Sequence, residues 1–177
     1  MPQTEKAPAK GFDASWLALI TAMLLVAFIA SKVWESNHPK APTDAMKWVP
    51  IAQAAELAKQ SGKPILYDFS AEWCNPCNML KREVFENPTL AKQLNETAVP
   101  VKVIDRVQEE GRNPADIAEL QQRYAVDGFP TLVMVDAASG RAVQTVGFLG
   151  ATETVEWAKQ AANAVKTGVN PDGSPLR

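Results

Sequence analysis

The feature that most restricts how this chain can fold is its pair of cysteines, Cys74 and Cys77, which are the only two in the sequence. Asn75 and Pro76 separate them, so both sulfur atoms can meet across one turn at the start of a helix. A disulfide stabilises a fold mainly by restricting a large loop in the unfolded chain, and this loop is too short for that. The pair therefore indicates reversible redox chemistry, and it excludes a fold held together by a disulfide framework.

Other uses of these cysteines fit the sequence less well. Zinc needs four ligands, and the chain offers two thiols and one distant histidine, His38, so no metal site is expected. Haem attachment requires a histidine directly after the second cysteine, and residue 78 is Asn. The net charge of -2 gives no basic surface, so nucleic acid is not an expected partner. We predict no cofactor.

A long apolar segment lies near the amino terminus. Residues 14–30 contain no charged side chain, and the apolar character resumes at Val33 and Trp34. As a helix, such a segment of roughly 17 to 21 residues spans about 25 to 31 Å, close to the thickness of a bilayer core. We predict one transmembrane anchor over residues 14–34, in contact with the lipid bilayer. A cleaved secretory signal is the alternative, and the large Phe28 argues against its cleavage site.

Composition sets the other predicted boundaries. Residues 1–13 form an N-terminal tail, the polar Pro-containing segment 35–47 is a linker, 48–168 is a folded domain and 169–177 is a flexible tail. Lysines flank the anchor in balanced numbers, but a short tail before a first apolar helix favours a cytoplasmic amino terminus. We therefore expect a single-pass protein of the inner (cell) membrane, with its domain on the periplasmic side.

Strand and helix patterns alternate along the folded domain. Helical patterns cover residues 52–61, 88–94 and 114–124, and a further helix starts at the cysteine motif. Strand patterns cover residues 64–70 and 99–104, and a hairpin joins 131–135 to 142–146. Residues 108–113 form a polar loop. Thr152 is expected to cap a last helix. This order predicts an α/β fold with a mixed central sheet flanked by helices on both faces.

The position of each cysteine in its helix suggests its role. Cys74 is predicted at the helix amino terminus, where free N–H groups and the helix dipole favour the thiolate. We expect Cys74 to be exposed and to act as the nucleophile. Cys77, one turn into the helix, is expected to be more buried and to resolve the mixed disulfide. Pro76 fits the first helical turn and fixes the backbone between the two sulfurs.

The chain resembles the thioredoxin family over roughly residues 48–166. Residues 65–77 are similar to that family's second strand and active-site turn, and residues 128–131 are similar to its cis-proline loop. Gly147 stands where the family has a glycine after the last strand. Two motifs in the correct order make the resemblance specific, and it implies a thioredoxin-like fold.

Further residues resemble one branch of the family, the C-terminal domain of the thiol:disulfide interchange protein DsbD. They are Trp48, residues 84–88 and the loop before Pro114.

The resemblance implies roles for several more residues. Asp68 is expected to be a buried acid that accepts the proton of Cys77. Phe129 and Pro130, joined by a cis peptide bond, are expected to present backbone to the substrate, with Trp73 supporting that surface. Lys102 and Asp105 are candidates for an ion pair near the acid, whereas Glu72 reads as a surface charge.

Three positions depart from common members of the family. Asn75 replaces a glycine, and Asn78 replaces a lysine. The dipeptide between the cysteines lacks the histidine of strongly oxidising relatives, which implies less thiolate stabilisation and a less oxidising disulfide. Thr131 stands where cytochrome c maturation reductases carry a glutamate, which argues against that assignment.

The sequence thus predicts a membrane-anchored thiol:disulfide oxidoreductase that reduces protein disulfides. Its substrates are expected to be protein thiols and disulfides, and its electron donor a membrane protein such as a DsbD-like transporter. A thiol oxidase or disulfide isomerase is the alternative enzyme. A non-catalytic assembly module of a membrane complex is the alternative outside enzymes.

Overall fold

The structure, a computed structural model, describes residues 15–37 and 45–176, which fall into two compact units. The first unit contains helix α1 (Ser15–Asn37). The predicted tail 1–13 and most of the predicted linker, including His38, lie outside the described residues. The predicted domain boundaries stay predictions.

Helix α1 exposes apolar side chains along its length, among them Leu19, Met23 and Leu24. Within residues 15–37 and 45–176, we find no helix whose length and hydropathy would let it cross a bilayer. The transmembrane anchor over residues 14–34 stays a prediction.

The second unit alternates helices and strands, as predicted. Its elements are α2 (Ile51–Ser61), β1 (Ile65–Ala71), α3 (Asn75–Leu80), a π-helical turn (Lys81–Phe85), α4 (Pro88–Thr97), β2 (Val99–Asp105), α5 (Val107–Glu110), α6 (Ala115–Arg123), β3 (Thr131–Val135), β4 (Ala142–Val146) and α7 (Ala151–Thr167).

The four strands form one mixed sheet in the order β2-β1-β3-β4. Strand β1 runs parallel to β2 and antiparallel to β3, and β3 runs antiparallel to β4. Every residue of β1 and β3 is buried, which is the pattern of central strands covered on both faces. The predicted α/β architecture is therefore confirmed.

A separate apolar core lies on each face of the sheet. On one face, Leu66 and Leu132 of the sheet pack with residues of α3, α4 and α7 such as Leu80. On the other face, Phe69 and Val101 pack with residues of α2 and α6. Because β1 contributes to both cores, its carboxyl end, where the cysteines follow, is rigidly held.

Two predicted local features are wrong. Thr152 does not cap the last helix, because α7 begins at Ala151 and Gly150, with a φ of 108°, occupies the cap position. The hydroxyl of Thr154 instead donates a hydrogen bond to the Gly150 carbonyl, at 2.6 Å. The predicted polar loop over residues 108–113 contains most of the short helix α5, which Gly111 ends with a φ of 74°.

Candidate active site

The cysteine motif lies directly after β1. Glu72 and Trp73 turn the chain at the end of the strand, and Cys74 takes an extended conformation, with a φ of -81°, at the N-cap of α3. Pro76 stands in the first turn of α3, where a missing N–H costs no helical hydrogen bond. The sequence therefore places Cys74 at a helix amino terminus, as predicted.

Cys74 and Cys77 form a disulfide, with Cα atoms 5.3 Å apart. The Cys77 N–H also donates a hydrogen bond to Cys74 Sγ, at 3.2 Å. When the disulfide is reduced, this N–H and the positive end of the helix favour the thiolate form of Cys74.

The predicted difference in exposure between the two cysteines is wrong. Cys74 is only 3% exposed, and Cys77 is 6% exposed. Phe129 packs against the buried cluster of Ala71, Cys74 and Cys77, and the Trp73 ring meets the Phe129 ring edge-on, with centroids 6.0 Å apart. Both cysteines are therefore buried in the disulfide form.

The loop before β3 has the expected conformation. The peptide bond between Phe129 and Pro130 is cis. The Pro130 carbonyl accepts a hydrogen bond from the Gly147 N–H at 2.7 Å, and Gly147 has a φ of 88° that favours glycine. The loop and the end of β4 are thereby held together beside the cysteines.

Asp68 is a buried acid, as the resemblance implied. It lies in β1 and is 1% exposed, and its Oδ1 accepts a hydrogen bond from Ser70 Oγ at 2.6 Å. A cleft of about 370 Å³ connects this pair with Cys77. The other residues that line the cleft are Ala71, Glu72, Asn78, Lys81, Lys102 and Ile104.

Our reading of the sequence missed Ser70. The signal was present, because residues two apart in a strand point to the same face, which places Ser70 beside Asp68. A small polar residue in a strand that is otherwise buried needs a hydrogen-bond partner, and the acid two residues earlier is the nearest one in sequence.

Lys102 and Asp105, the two candidates for an ion pair near Asp68, lie in different surroundings. Lys102 stands opposite Asp68 in the register of β1 and β2, and its Nζ lies 5.4 Å from the centroid of the Trp48 ring. Asp105 ends β2, and its carboxylate accepts hydrogen bonds from Asn113 and Gln121. Of the two residues, only Lys102 lines the cleft.

Two other observations complete the description of the site. Glu72 is exposed and lies 3.6 Å from Arg106, as expected of a surface charge. Within the described part of the chain, no group of three or more metal-ligating side chains comes together.

Comparison with known proteins gives matches over the same region. A family model described as "Thioredoxin-like domain" matches residues 51–162. The thiol:disulfide interchange protein DsbD of Salmonella paratyphi A is 28% identical over 148 residues, which are 77% of this chain and 25% of that protein. The chain thus spans about a quarter of the length of this curated relative.

Solved structures also superpose on the chain, among them the following two. The DsbH oxidoreductase has a TM-score of 0.58 and 26% identity, over 67% of this chain and 85% of that one. The C-terminal domain of Neisseria meningitidis DsbD in its oxidised form has a TM-score of 0.50 and 23% identity, over 62% and 90%. At that identity, the second likeness concerns the fold alone.

Proposed function

The chain belongs to the family of thioredoxin-like domains and carries a disulfide-forming Cys-x-x-Cys pair, and from this premise we propose that it is a protein-disulfide reductase. One observation carries the proposal: Cys74 and Cys77 meet at the amino terminus of α3, beside the cis Pro130 and above a cleft that contains Asp68.

The geometry supports a reaction in two steps. In the reduced protein, the Cys74 thiolate attacks a substrate disulfide, which releases one substrate thiolate and leaves the substrate joined to Cys74. Cys77 then loses its proton to Asp68, and its sulfur attacks Cys74 Sγ. The Cys74–Cys77 disulfide forms, the bond to the substrate breaks, and the substrate leaves with both electrons of the dithiol.

The reducing direction is supported by the residues around the disulfide. Asn75 and Pro76 supply no cation between the cysteines, so the Cys74 thiolate depends on the Cys77 N–H and the short helix α3. Weaker stabilisation of the reduced form means a lower reduction potential and a better reductant. An oxidase or isomerase would need a more stable thiolate.

We also propose that the chain acts at a membrane, on the periplasmic side. The exposed apolar side chains of α1 and the uncharged segment 14–30 support attachment of the domain to a bilayer. The DsbD relative carries the name of an interchange protein, and a DsbD-like transporter would be a suitable electron donor for the Cys74–Cys77 disulfide.

The test is single-turnover reduction of a peptide that contains one disulfide. We expect Cys77→Ser to accumulate a mixed disulfide with the peptide, and Cys74→Ser to accumulate little. Asn163→Ala, on the exposed side of α7, is the matched control and should behave as the unchanged protein. Equal accumulation by both cysteine variants would contradict the assigned roles.

The direction of the reaction needs a separate measurement. Equilibration of the Cys74–Cys77 couple with glutathione should give a potential nearer that of reductases, about -270 mV, than that of strong oxidants, about -120 mV. An oxidising value would favour the oxidase or isomerase. Unimpaired function in cells of a chain that lacks both cysteines would favour a non-catalytic assembly module.

A further inference from the structure

We propose that Ser70 is a positioning residue for the reaction: its hydroxyl orients the Asp68 carboxylate at the cleft that Asp68 shares with Cys77. The inference rests on the proposed function, because it concerns the resolving step of that reaction. Ser70 acts through Asp68 and is not itself a reacting group.

The first support is the hydrogen bond itself. Ser70 Oγ donates to Asp68 Oδ1 at 2.6 Å, and the two residues are 6% and 1% exposed. A hydrogen bond from a neutral donor to a carboxylate stabilises the charged form of the acid. A water molecule in the cleft is a weaker substitute if the hydroxyl is removed, because it loses freedom on binding whereas the hydroxyl is already held by the strand. Ser70 thus keeps Asp68 in the form that can accept a proton.

The second support is the cleft. Asp68, Ser70 and Cys77 line the same space of about 370 Å³. A water molecule needs about 30 Å³, so the cleft has room for several, and its polar lining offers them hydrogen-bond partners. A proton from Cys77 can therefore reach Asp68 through water.

The charged groups around the cleft do not change in the test. Lys102 faces it from β2, Lys81 from the π-helical turn and Glu72 from the end of β1. Both lysines favour the carboxylate form of Asp68, and Glu72 opposes it. All three stay in place when Ser70 is substituted, so a change in pH dependence reports the hydroxyl.

In the resolving step, the Cys77 proton moves to Asp68, and the Cys77 sulfur forms a bond with Cys74 Sγ. The bond between Cys74 Sγ and the substrate sulfur breaks, and the substrate leaves as a thiolate that takes a proton from water. The oxidant is the substrate disulfide, which gains the two electrons that the dithiol loses. Ser70 takes no part in the electron transfer.

Threonine and valine provide a matched pair, because they have nearly the same shape and differ in the hydroxyl. The experiment measures the rate of the resolving step in the full reduced chain, in detergent, with a disulfide-containing peptide, between about pH 5 and about pH 9. We expect Ser70→Val and Ser70→Ala to slow this step about five- to tenfold at the acidic end. Their pH midpoint should rise by about one unit.

Ser70→Thr should keep the midpoint of the unchanged protein, because it keeps the hydroxyl. In an Asp68→Asn chain, adding Ser70→Ala should have no further effect, because the group that Ser70 orients is already lost. Urea unfolding of each variant shows whether it folds. If Ser70→Val does not fold, Ser70→Ala and Ser70→Thr give the same comparison.

A Ser70→Ala chain with an unmoved pH midpoint overturns the inference, and so does a Ser70→Thr chain that shifts as far as Ser70→Val. If the unchanged protein reduces the peptide and Cys74→Ser does not, these outcomes overturn the inference alone. If the unchanged protein transfers no electrons to the peptide, the proposed function fails and the inference fails with it.

Discussion

Cys74 takes the place of the serine or aspartate that usually begins a helix, and its sulfur accepts the hydrogen bond that such a side chain would accept. The same contact that starts α3 therefore stabilises the thiolate that starts the reaction. Replacing Cys74 by serine keeps the cap and removes the sulfur, so this variant separates the structural role of the residue from its chemical role.

Asp105 is a second residue whose environment sets its protonation. Burial opposes ionisation of its carboxyl group, but hydrogen bonds from Gln121, Asn113 and the Val107 N–H outweigh burial and lower the pKa. These contacts tie the end of β2 to the segment between α5 and α6. Because the pKa is lower in the folded state than in the unfolded state, the ionised Asp105 stabilises the fold.

We predict that Asp105→Asn lowers the free energy of unfolding by about 1 to 2 kcal/mol near pH 7, since a buried charge-assisted network is broken. The contribution is fully present above the unfolded-state pKa, about 3.9, and is lost as the pH falls through the folded-state value. Urea unfolding at several pH values should therefore show a difference that shrinks below about pH 4. Asp127→Asn, in an exposed loop, is the control; a difference independent of pH would contradict the prediction.

The burial of Cys74 shows what a local sequence pattern cannot predict. Its place at the helix start follows from Pro76 and the preceding strand, and this part of the prediction is confirmed. Its burial involves Phe129, which packs against the cluster that contains Cys74 and lies in a loop far along the chain. No periodicity near residue 74 contains that information, because the contact depends on how β1 and β3 pair.

At the scale of elements, the start of α4 is the clearest example of local control. Asn87 Oδ1 accepts hydrogen bonds from the N–H groups of Thr89, at 3.0 Å, and Leu90, at 3.3 Å. Pro88 follows in the first turn, where it needs no donor. The helix then buries Ala91 and Leu94 against the core.

We predict that Asn87→Ala lowers the free energy of unfolding by about 1 kcal/mol, because two N–H groups at the start of α4 lose their acceptor. Urea unfolding measures the change. Asn163→Ala, at an exposed position inside α7, should be neutral or slightly stabilising because alanine favours helix. A loss at residue 163 as large as that at residue 87 would show that the cap is not the cause.

The elements that the sequence predicted well are those bounded by strong local signals. The apolar strand 64–70 lies between breakers, and the structure has β1 at Ile65–Ala71. The hairpin strands 131–135 and 142–146 agree with β3 and β4. The predicted N-cap of α7 was wrong because threonine is a common N-cap residue, whereas the observed N-cap is Gly150.

At the scale of the whole molecule, antiparallel pairing assembles the site. In the register of β1 and β3, Phe69 lies opposite Thr131, so the end of β1 meets the start of β3. The cysteines follow the first strand, and Pro130 precedes the second, which brings the two motifs together. Their order in the sequence predicted the family, but only the topology explains their contact.

The last prediction concerns the independence of the domain from the segment before it. All three buried clusters of the described chain draw on residues from Ala45 onward, which form one of the two compact units. A chain that starts at Thr43 should therefore unfold in one cooperative transition and reduce a disulfide peptide within about twofold of the full-length rate.

The apolar segment 14–30 should matter only for location: the full chain should bind phospholipid vesicles on flotation, and the shortened chain should stay in solution. Replacing Leu24 and Leu25 by lysine in the full chain is the matched control, because it keeps the length and removes apolar surface that is exposed in α1. If the shortened chain lost cooperative unfolding, the core would extend beyond the residues that form the clusters. If it still floated with vesicles, the attachment would lie in the redox domain itself.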